Sequence, residues 1–144
     1  DSNVARILGP AISEMKSMEF NTRASGVFLN NGTKFTFVPL PFEAQLAPAF
    51  GICAKDFNGD SSIDLFIAQN DFSIPTRYSR YDSGRGLLLT GDGKGNFKPL
   101  NSKQSGIMIY GEQRGIVASD FNGDKKLDLV VSQRDAITKL YLQK

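Results

Sequence analysis

One acidic loop occurs twice in this chain, and no other feature limits the fold as strongly. Residues 56–67 read DFNGDSSIDLFI and residues 120–131 read DFNGDKKLDLVV, sixty-four positions apart. Widened to 51–70 and 115–134, the two stretches share eleven of twenty residues without a gap. Self-similarity at that spacing implies repeated units, each burying an apolar face against its neighbour. Both loops lead into short apolar runs. In IDLFIAQ, Ile63, Leu65 and Ile67 fall on one face of a strand and Asp64, Phe66 and Ala68 on the other, and Leu127, Leu129 and Val131 repeat the first set. Short aliphatic and β-branched runs bounded by Gly, Asn and Asp are expected to be strands.

A second element repeats as well. GVFLNNGTKFTFVPL (26–40) overlays GLLLTGDGKGNFKPL (86–100) at an offset of sixty, and LYLQ at Leu140 begins a further partial copy. Each run is followed by a turn, NNGT or GDGKGN, and then an aromatic strand, so each pair is expected to form a β-hairpin. A period of roughly 60 residues suits a four-stranded unit with loops. The helical signal is confined to PAISEMKSME (10–19), where Pro10 sits early and Ile12, Met15 and Glu19 have helical spacing.

The expected fold is therefore all-β, a β-propeller-like fragment of about two and a quarter four-stranded blades with a short N-terminal helix. Its organisation is an N-terminal segment (1–25) and a repeat domain (26–144), the latter made of a partial unit 26–40, a full unit 51–100 and an incomplete unit 115–144. A closed propeller needs about four to eight blades, so the chain is expected to be part of a larger protein or to self-associate through open sheet edges.

The loop itself points to a metal. Oxygen-bearing side chains stand at its first, third, fifth and ninth positions: Asp56, Asn58, Asp60 and Asp64, then Asp120, Asn122, Asp124 and Asp128. Calcium takes six to eight oxygen ligands, and a tight loop offering them at alternate positions can wrap it. At the seventh position, Ser62 and Lys126 would contribute backbone carbonyls, which leaves their side chains unconstrained. Three carboxylates so close repel one another, and a divalent ion turns that repulsion into attraction. An EF-hand is excluded, because its bidentate Glu at position 12 is replaced by Ile67 and Val131. The competing reading is a pair of Asx-rich turns that bind nothing. The sixth position favours Gly because φ is often positive there, yet it holds Ser61 and Lys125, each costing on the order of 1 kcal/mol. Weak affinity, roughly 10⁻⁴–10⁻³ M, is the expectation.

Composition narrows the remaining classes. The chain has no histidine, which removes the commonest general base and every Ser–His or Cys–His dyad. A non-enzyme is expected. Cys53 is the single cysteine, so no internal disulfide can form. A formal charge of +2 gives no case for nucleic acid, and no apolar run approaches the length of a membrane span, so neither partner is expected. Two bound Ca2+ would make the surface more positive and draw an anionic partner such as an acidic glycan.

The stretches DFNGDSSIDLFIAQN and DFNGDKKLDLVVSQ, with the hairpins VFLNNGTKFTF and LLLTGDGKGNF, resemble the FG-GAP/VCBS repeat family. The segment from SMEFNTRASGVFLNNG through YDSGRGLLLTGDGKGNF more narrowly resembles the C-terminal region of large secreted bacterial VCBS-repeat proteins. This resemblance implies integrin-alpha-like propeller blades with calcium held in the loop between the first two strands of a blade. It assigns the same eight side chains as ligands, and Ser61 and Lys125 depart from the glycine usual there. The expected function is a non-catalytic, calcium-stabilised extracellular module for adhesion or ligand binding, located outside the cell, at its surface or in the periplasm. Its partner would be a protein or a glycan. The alternative is an accessory or substrate-binding part of a secreted polysaccharide-active enzyme.

Three other stretches carry less. GDGKGN (91–96) lacks the spacing of a phosphate-binding loop and is expected to be a hairpin turn. TRYSRYDSGRG (76–86) interleaves Arg77, Arg80 and Arg85 with Tyr78 and Tyr81 and is the best non-metal contact surface, although a solvated connection is the plainer reading. Glu112, beside Arg114, has no second carboxylate to pair with and is expected to be a surface residue.

Overall fold

The computed structural model describes residues 3–16, 18–75 and 77–144. It is built of three antiparallel sheets. A hairpin of β1 (Gly26–Asn30) and β2 (Phe35–Pro39) comes first. A four-stranded meander follows, comprising β3 (Ala49–Lys55), β4 (Asp64–Gln69), β5 (Leu87–Gly91) and β6 (Phe97–Leu100). The last sheet has β7 (Gln113–Ser119), β8 (Asp128–Gln133) and β9 (Ala136–Tyr141), in that order. Every connection within a sheet joins neighbouring strands, and each sheet stacks on the next. This is the stacked-meander arrangement of propeller blades.

The two acidic stretches occupy matching places, joining β3 to β4 and β7 to β8. β4 is buried along its whole length because it lies between two layers. Leu65 and Ile67 face the first hairpin in a cluster with Leu40, Ala44, Leu87 and Leu89. Phe66 faces the other way, against Leu129, Val131, Ile107 and Ile109. The alternation expected for IDLFIAQ is thus observed, with apolar neighbours on both sides. β8 repeats the pattern on one side only, so Val130 is half-buried where Phe66 is fully buried.

Two expectations need correction. The gapless overlay of 26–40 on 86–100 is one residue out at β1. It sets Val27 over Leu87, but Val27 packs forward, from the preceding sheet, onto the cluster that contains Leu87. Its spatial counterpart is Leu88, which packs forward onto the β7–β9 sheet. Strand side chains alternate, so a slip of one residue exchanges the faces.

The N-terminal helix also sits earlier than expected. Residues Val4–Leu8 form α1, and Gly9–Glu14 form a 3-10 turn. Gly9 has φ +54°, which ends the α-helix, and Pro10 then starts the tighter turn because it has no N–H to give. Ser17, within the stretch expected to be helical, lies outside the described residues.

Candidate functional site

Each acidic loop is wound by its own side chains. In the first, the Asp56 carboxylate accepts from the N–H groups of Gly59 (2.7 Å) and Ser61 (2.8 Å). The Asn58 side-chain oxygen accepts from Asp60 N–H at 2.9 Å, and Asp60 accepts from Ser62 N–H at 2.7 Å. The Asn58 amide donates to the second Asp60 oxygen at 2.9 Å. Side chains that capture N–H groups two to five residues ahead force a tight coil without secondary structure.

The second loop reproduces every bond of the scheme and adds one, from Asp124 N–H to Asp120 at 3.2 Å. Asp120 accepts from Gly123 (2.6 Å) and Lys125 (2.8 Å), Asn122 from Asp124 (3.0 Å), and Asp124 from Lys126 (2.9 Å) and the Asn122 amide (3.0 Å). The positive φ anticipated at the sixth position is present in both copies, +69° at Ser61 and +67° at Lys125. Neither residue is glycine, so both loops hold backbone strain.

These bonds alter the acids. Asp60 is held below the usual carboxylate range, first by the Ser62 N–H and then by the Asn58 amide. Asp120 is lowered chiefly by the Lys125 N–H. Both carboxylates are ready acceptors at neutral pH.

Asp64 and Asp128, at the ninth position, behave differently. Both are fully buried. Asp64 accepts from Phe57 N–H at 3.0 Å and, across the sheet, from Gly91 N–H at 2.9 Å. Asp128 accepts from Phe121 N–H at 2.9 Å and Gln143 N–H at 3.0 Å. Asp64 therefore ties the start of its loop to β5, and Asp128 ties the start of its own to the residues just past β9. Sequence reasoning treated this position only as a ligand. The strap could have been suspected, because Asp64 shares a strand face with Phe66 and a carboxylate on that face needs donors.

The structure brings Asp56, Asn58 and Asp60 together, and likewise Asp120, Asn122 and Asp124. Ser62 and Lys126 enter through their backbone N–H groups. Among the described residues, no three Asp, Glu, Cys or His side chains converge tightly enough to hold a metal ion. The donor chemistry still fits a hard cation. Each loop offers only oxygens, and a carboxylate oxygen that accepts one N–H keeps a further lone pair. In this arrangement the neutral Asn58 and Asn122 amides each donate one hydrogen bond, to Asp60 and Asp124 respectively.

A second polar cluster lies on the opposite end of the strands. Glu112 is buried, contrary to the surface position expected for it. It pairs with Arg114 at 2.7 Å, lies 3.9 Å from Arg134, and accepts from Phe72 N–H at 2.8 Å. Arg114 also donates to the Asn70 carbonyl at 3.0 Å and stacks on Phe50, 3.9 Å from the ring centre. This network clasps the long β4–β5 connection to β7. In that connection Arg77 stacks on Tyr78, Arg80 on Phe72 and Arg85 on Tyr110. Thr76 lies outside the described residues. GDGKGN is a hairpin turn, closed by Asp92 accepting from the Lys94 and Asn96 N–H groups.

Stacked antiparallel meanders whose first two strands are joined by matching acidic loops define a β-propeller-like repeat protein. The family model of the FG-GAP-like repeat matches residues 56–131, slightly more than half of the chain, so the chain belongs to that family. No curated protein and no solved structure matches it. No helix among the described residues is long and apolar enough to cross a membrane.

Proposed function

We propose that this chain is a non-catalytic, calcium-stabilised repeat module that works outside the cell, presenting its loops for adhesion or ligand binding as part of a larger protein. One observation carries the reading: every side-chain hydrogen bond of the first loop, and its positive φ, recurs in the second although Ser61–Ser62 is replaced by Lys125–Lys126. A coil held to one geometry through such a change has its oxygens as the common element. On binding, Ca2+ would displace the Asn58 and Asn122 amides from Asp60 and Asp124 and take oxygens of Asp56, Asn58 and Asp60, with their counterparts Asp120, Asn122 and Asp124. Asp64 and Asp128 would anchor the loop and contribute from behind. The Ser62 and Lys126 carbonyls would complete the set. The strain at Ser61 and Lys125 and the charge of the two lysines favour weak binding, in the range of extracellular modules.

At about 1–2 mM calcium and a Kd near 10⁻⁴ M, each occupied site adds roughly 1.5 kcal/mol to stability. The test is thermal unfolding in about 2 mM CaCl2 against excess EGTA, for the native chain and for Asp60→Ala/Asp124→Ala. A calcium-dependent rise of several degrees that the double variant loses is expected. Identical melting under all four conditions would reduce the loops to turns. With calcium bound, the ligand class to screen first is the acidic glycans, whose attraction should weaken with salt.

A further inference from the structure

We propose that the β4–β5 connection, where it meets Tyr110, is a polysaccharide-binding surface whose ligand is a uronate-containing chain. The inference rests on the reading of this chain as a ligand-binding module and gives that module a site and a ligand class, without requiring calcium. Hydrogen bonds assemble the surface from three separate stretches. Asp71 and Tyr81 pair through both of their backbone groups, at 2.9 and 3.2 Å. The Asn70 side-chain amide donates to the Gly84 and Gly111 carbonyls, each at 2.8 Å. Ile109 N–H donates to the Arg85 carbonyl at 2.9 Å. Residues 70–72, 80–85 and 109–111 are therefore neighbours, and the surface is shaped before a ligand arrives.

Two arginines stand on it, each laid over a ring. Arg80 lies 5.2 Å from the centre of Phe72, and Arg85 lies 4.8 Å from that of Tyr110. A third, Arg77, covers Tyr78 in the same connection. All three arginines are exposed, and among the described residues none of them forms an ion pair. A guanidinium held flat on a ring loses little freedom when its remaining donors grip a carboxylate in two-pronged fashion. Tyr81 is exposed and, among the described residues, has no arginine over it, which leaves its ring for the apolar face of a sugar.

The acids of the same connection choose among anions. Asp71 accepts from Ser73 N–H at 2.9 Å, and Asp82, whose carbonyl accepts from Arg85, is exposed. Phosphodiester and sulfate groups bring only acceptors, which these aspartates repel. A uronate residue brings one carboxylate for an arginine together with free hydroxyls, and a hydroxyl donates to an aspartate. Mixed cations, carboxylates and rings on one surface therefore fit a hydroxylated acid better than a dense polyanion.

The test measures binding of a fluorescent polygalacturonate oligosaccharide to the intact 144-residue chain by anisotropy in EGTA. Saturable binding is expected, weakened by added salt and by methyl-esterifying the carboxylates. Arg80→Ala should weaken it about fivefold or more, and Arg80→Lys should restore only part, because lysine keeps the charge and loses the fork. Lys34→Ala, which removes a charge from the β1–β2 turn, should leave binding unchanged. Amide exchange should slow across 78–85 and 109–111, and that map decides the matter if Arg80→Ala does not fold. No saturation, equal binding of the esterified form, an equal loss in Lys34→Ala, or protection located elsewhere would each overturn the proposal. Tighter binding of heparin or of polyglutamate would overturn it in favour of a sulfated chain or an acidic protein. Polymer held equally well by a folded Arg80→Ala would remove this site and leave a ligand-binding module, whereas loss of the calcium-dependent melting would remove the calcium reading and leave this result untouched.

Discussion

Ser61 and Lys125 sit where the acidic loops turn left-handed, and their side chains work against that turn. Replacing either with glycine removes a Cβ penalty of about 1 kcal/mol, partly offset by the greater freedom of glycine in the unfolded chain. Ser61→Gly and Lys125→Gly should each stabilise the chain by several tenths of a kcal/mol up to about 1 kcal/mol in urea titrations run in EGTA. Both should also tighten calcium binding, Lys125→Gly more so because it removes a positive charge. The positive φ was legible in the sequence, because the spacing of oxygens around a tight coil dictates where the backbone must reverse. The role of Asp64 was not. Its second partner, the Gly91 N–H, lies on a strand reached only after the long β4–β5 connection, and nothing near Asp64 in the sequence points to it. The strap makes a prediction that separates it from a pure ligand. Asp64→Ala leaves two N–H groups facing a buried gap and should cost about 2–3 kcal/mol even without calcium. Asp60→Ala, exposed and locally bonded, should cost far less in EGTA. Equal costs in a denaturation series would mean that the strap contributes nothing.

At the scale of elements, the strands were readable because alternation and turn residues are local signals, and the β1–β2 and β5–β6 hairpins follow from their short turns. The long connections were not readable. Residues 70–86 carry the polar loop that Glu112, Arg114 and Arg134 fasten to β7, a link made through Phe72 N–H and the Asn70 carbonyl. Such contacts join parts of the chain about forty residues apart, where sequence pattern has no reach. The same region contains a cost. Gln113 is fully buried and neither atom of its side-chain amide has a partner among the described residues. Buried polar groups without partners are expensive, and an apolar side chain of similar shape avoids the penalty. Gln113→Met should therefore be neutral or stabilise the chain by about 1 kcal/mol. Phe66→Ala, which empties the centre of the interface between the second and third sheets, should cost about 3–5 kcal/mol. Chemical denaturation reads both. A destabilising Gln113→Met would mean that the amide holds an ordered water essential to the packing.

For the whole molecule, the decisive variable is proton concentration, because acid acts on the same carboxylates that the proposed calcium sites would use. Asp60, Asp92 and Asp120 are all held below the usual carboxylate range, by the Ser62 N–H, the Asn96 amide and the Lys125 N–H respectively. A carboxylate with a lowered folded-state pKa binds fewer protons folded than unfolded. Its contribution is present above the unfolded pKa, near 4, and is lost as pH falls through the folded value. With no histidine in the chain, no side chain of ordinary pKa changes charge between about pH 5 and 8. The unfolding midpoint in denaturant should therefore stay nearly constant from pH 8 to about 5 and drop below about pH 4. If the loops bind calcium as proposed, it would compete with protons for the deprotonated carboxylates, so adding it should move the acid transition to lower pH. Asp60→Ala/Asp124→Ala should remove that displacement while keeping part of the acid transition, since Asp92 and Asp120 remain. An acid transition at the same pH with and without calcium, in a chain that still unfolds cooperatively, would show that protonation undoes turns rather than metal sites. The repeat fold would stand, and its stabilisation would rest on the inter-sheet cores and the Asp64 and Asp128 straps alone.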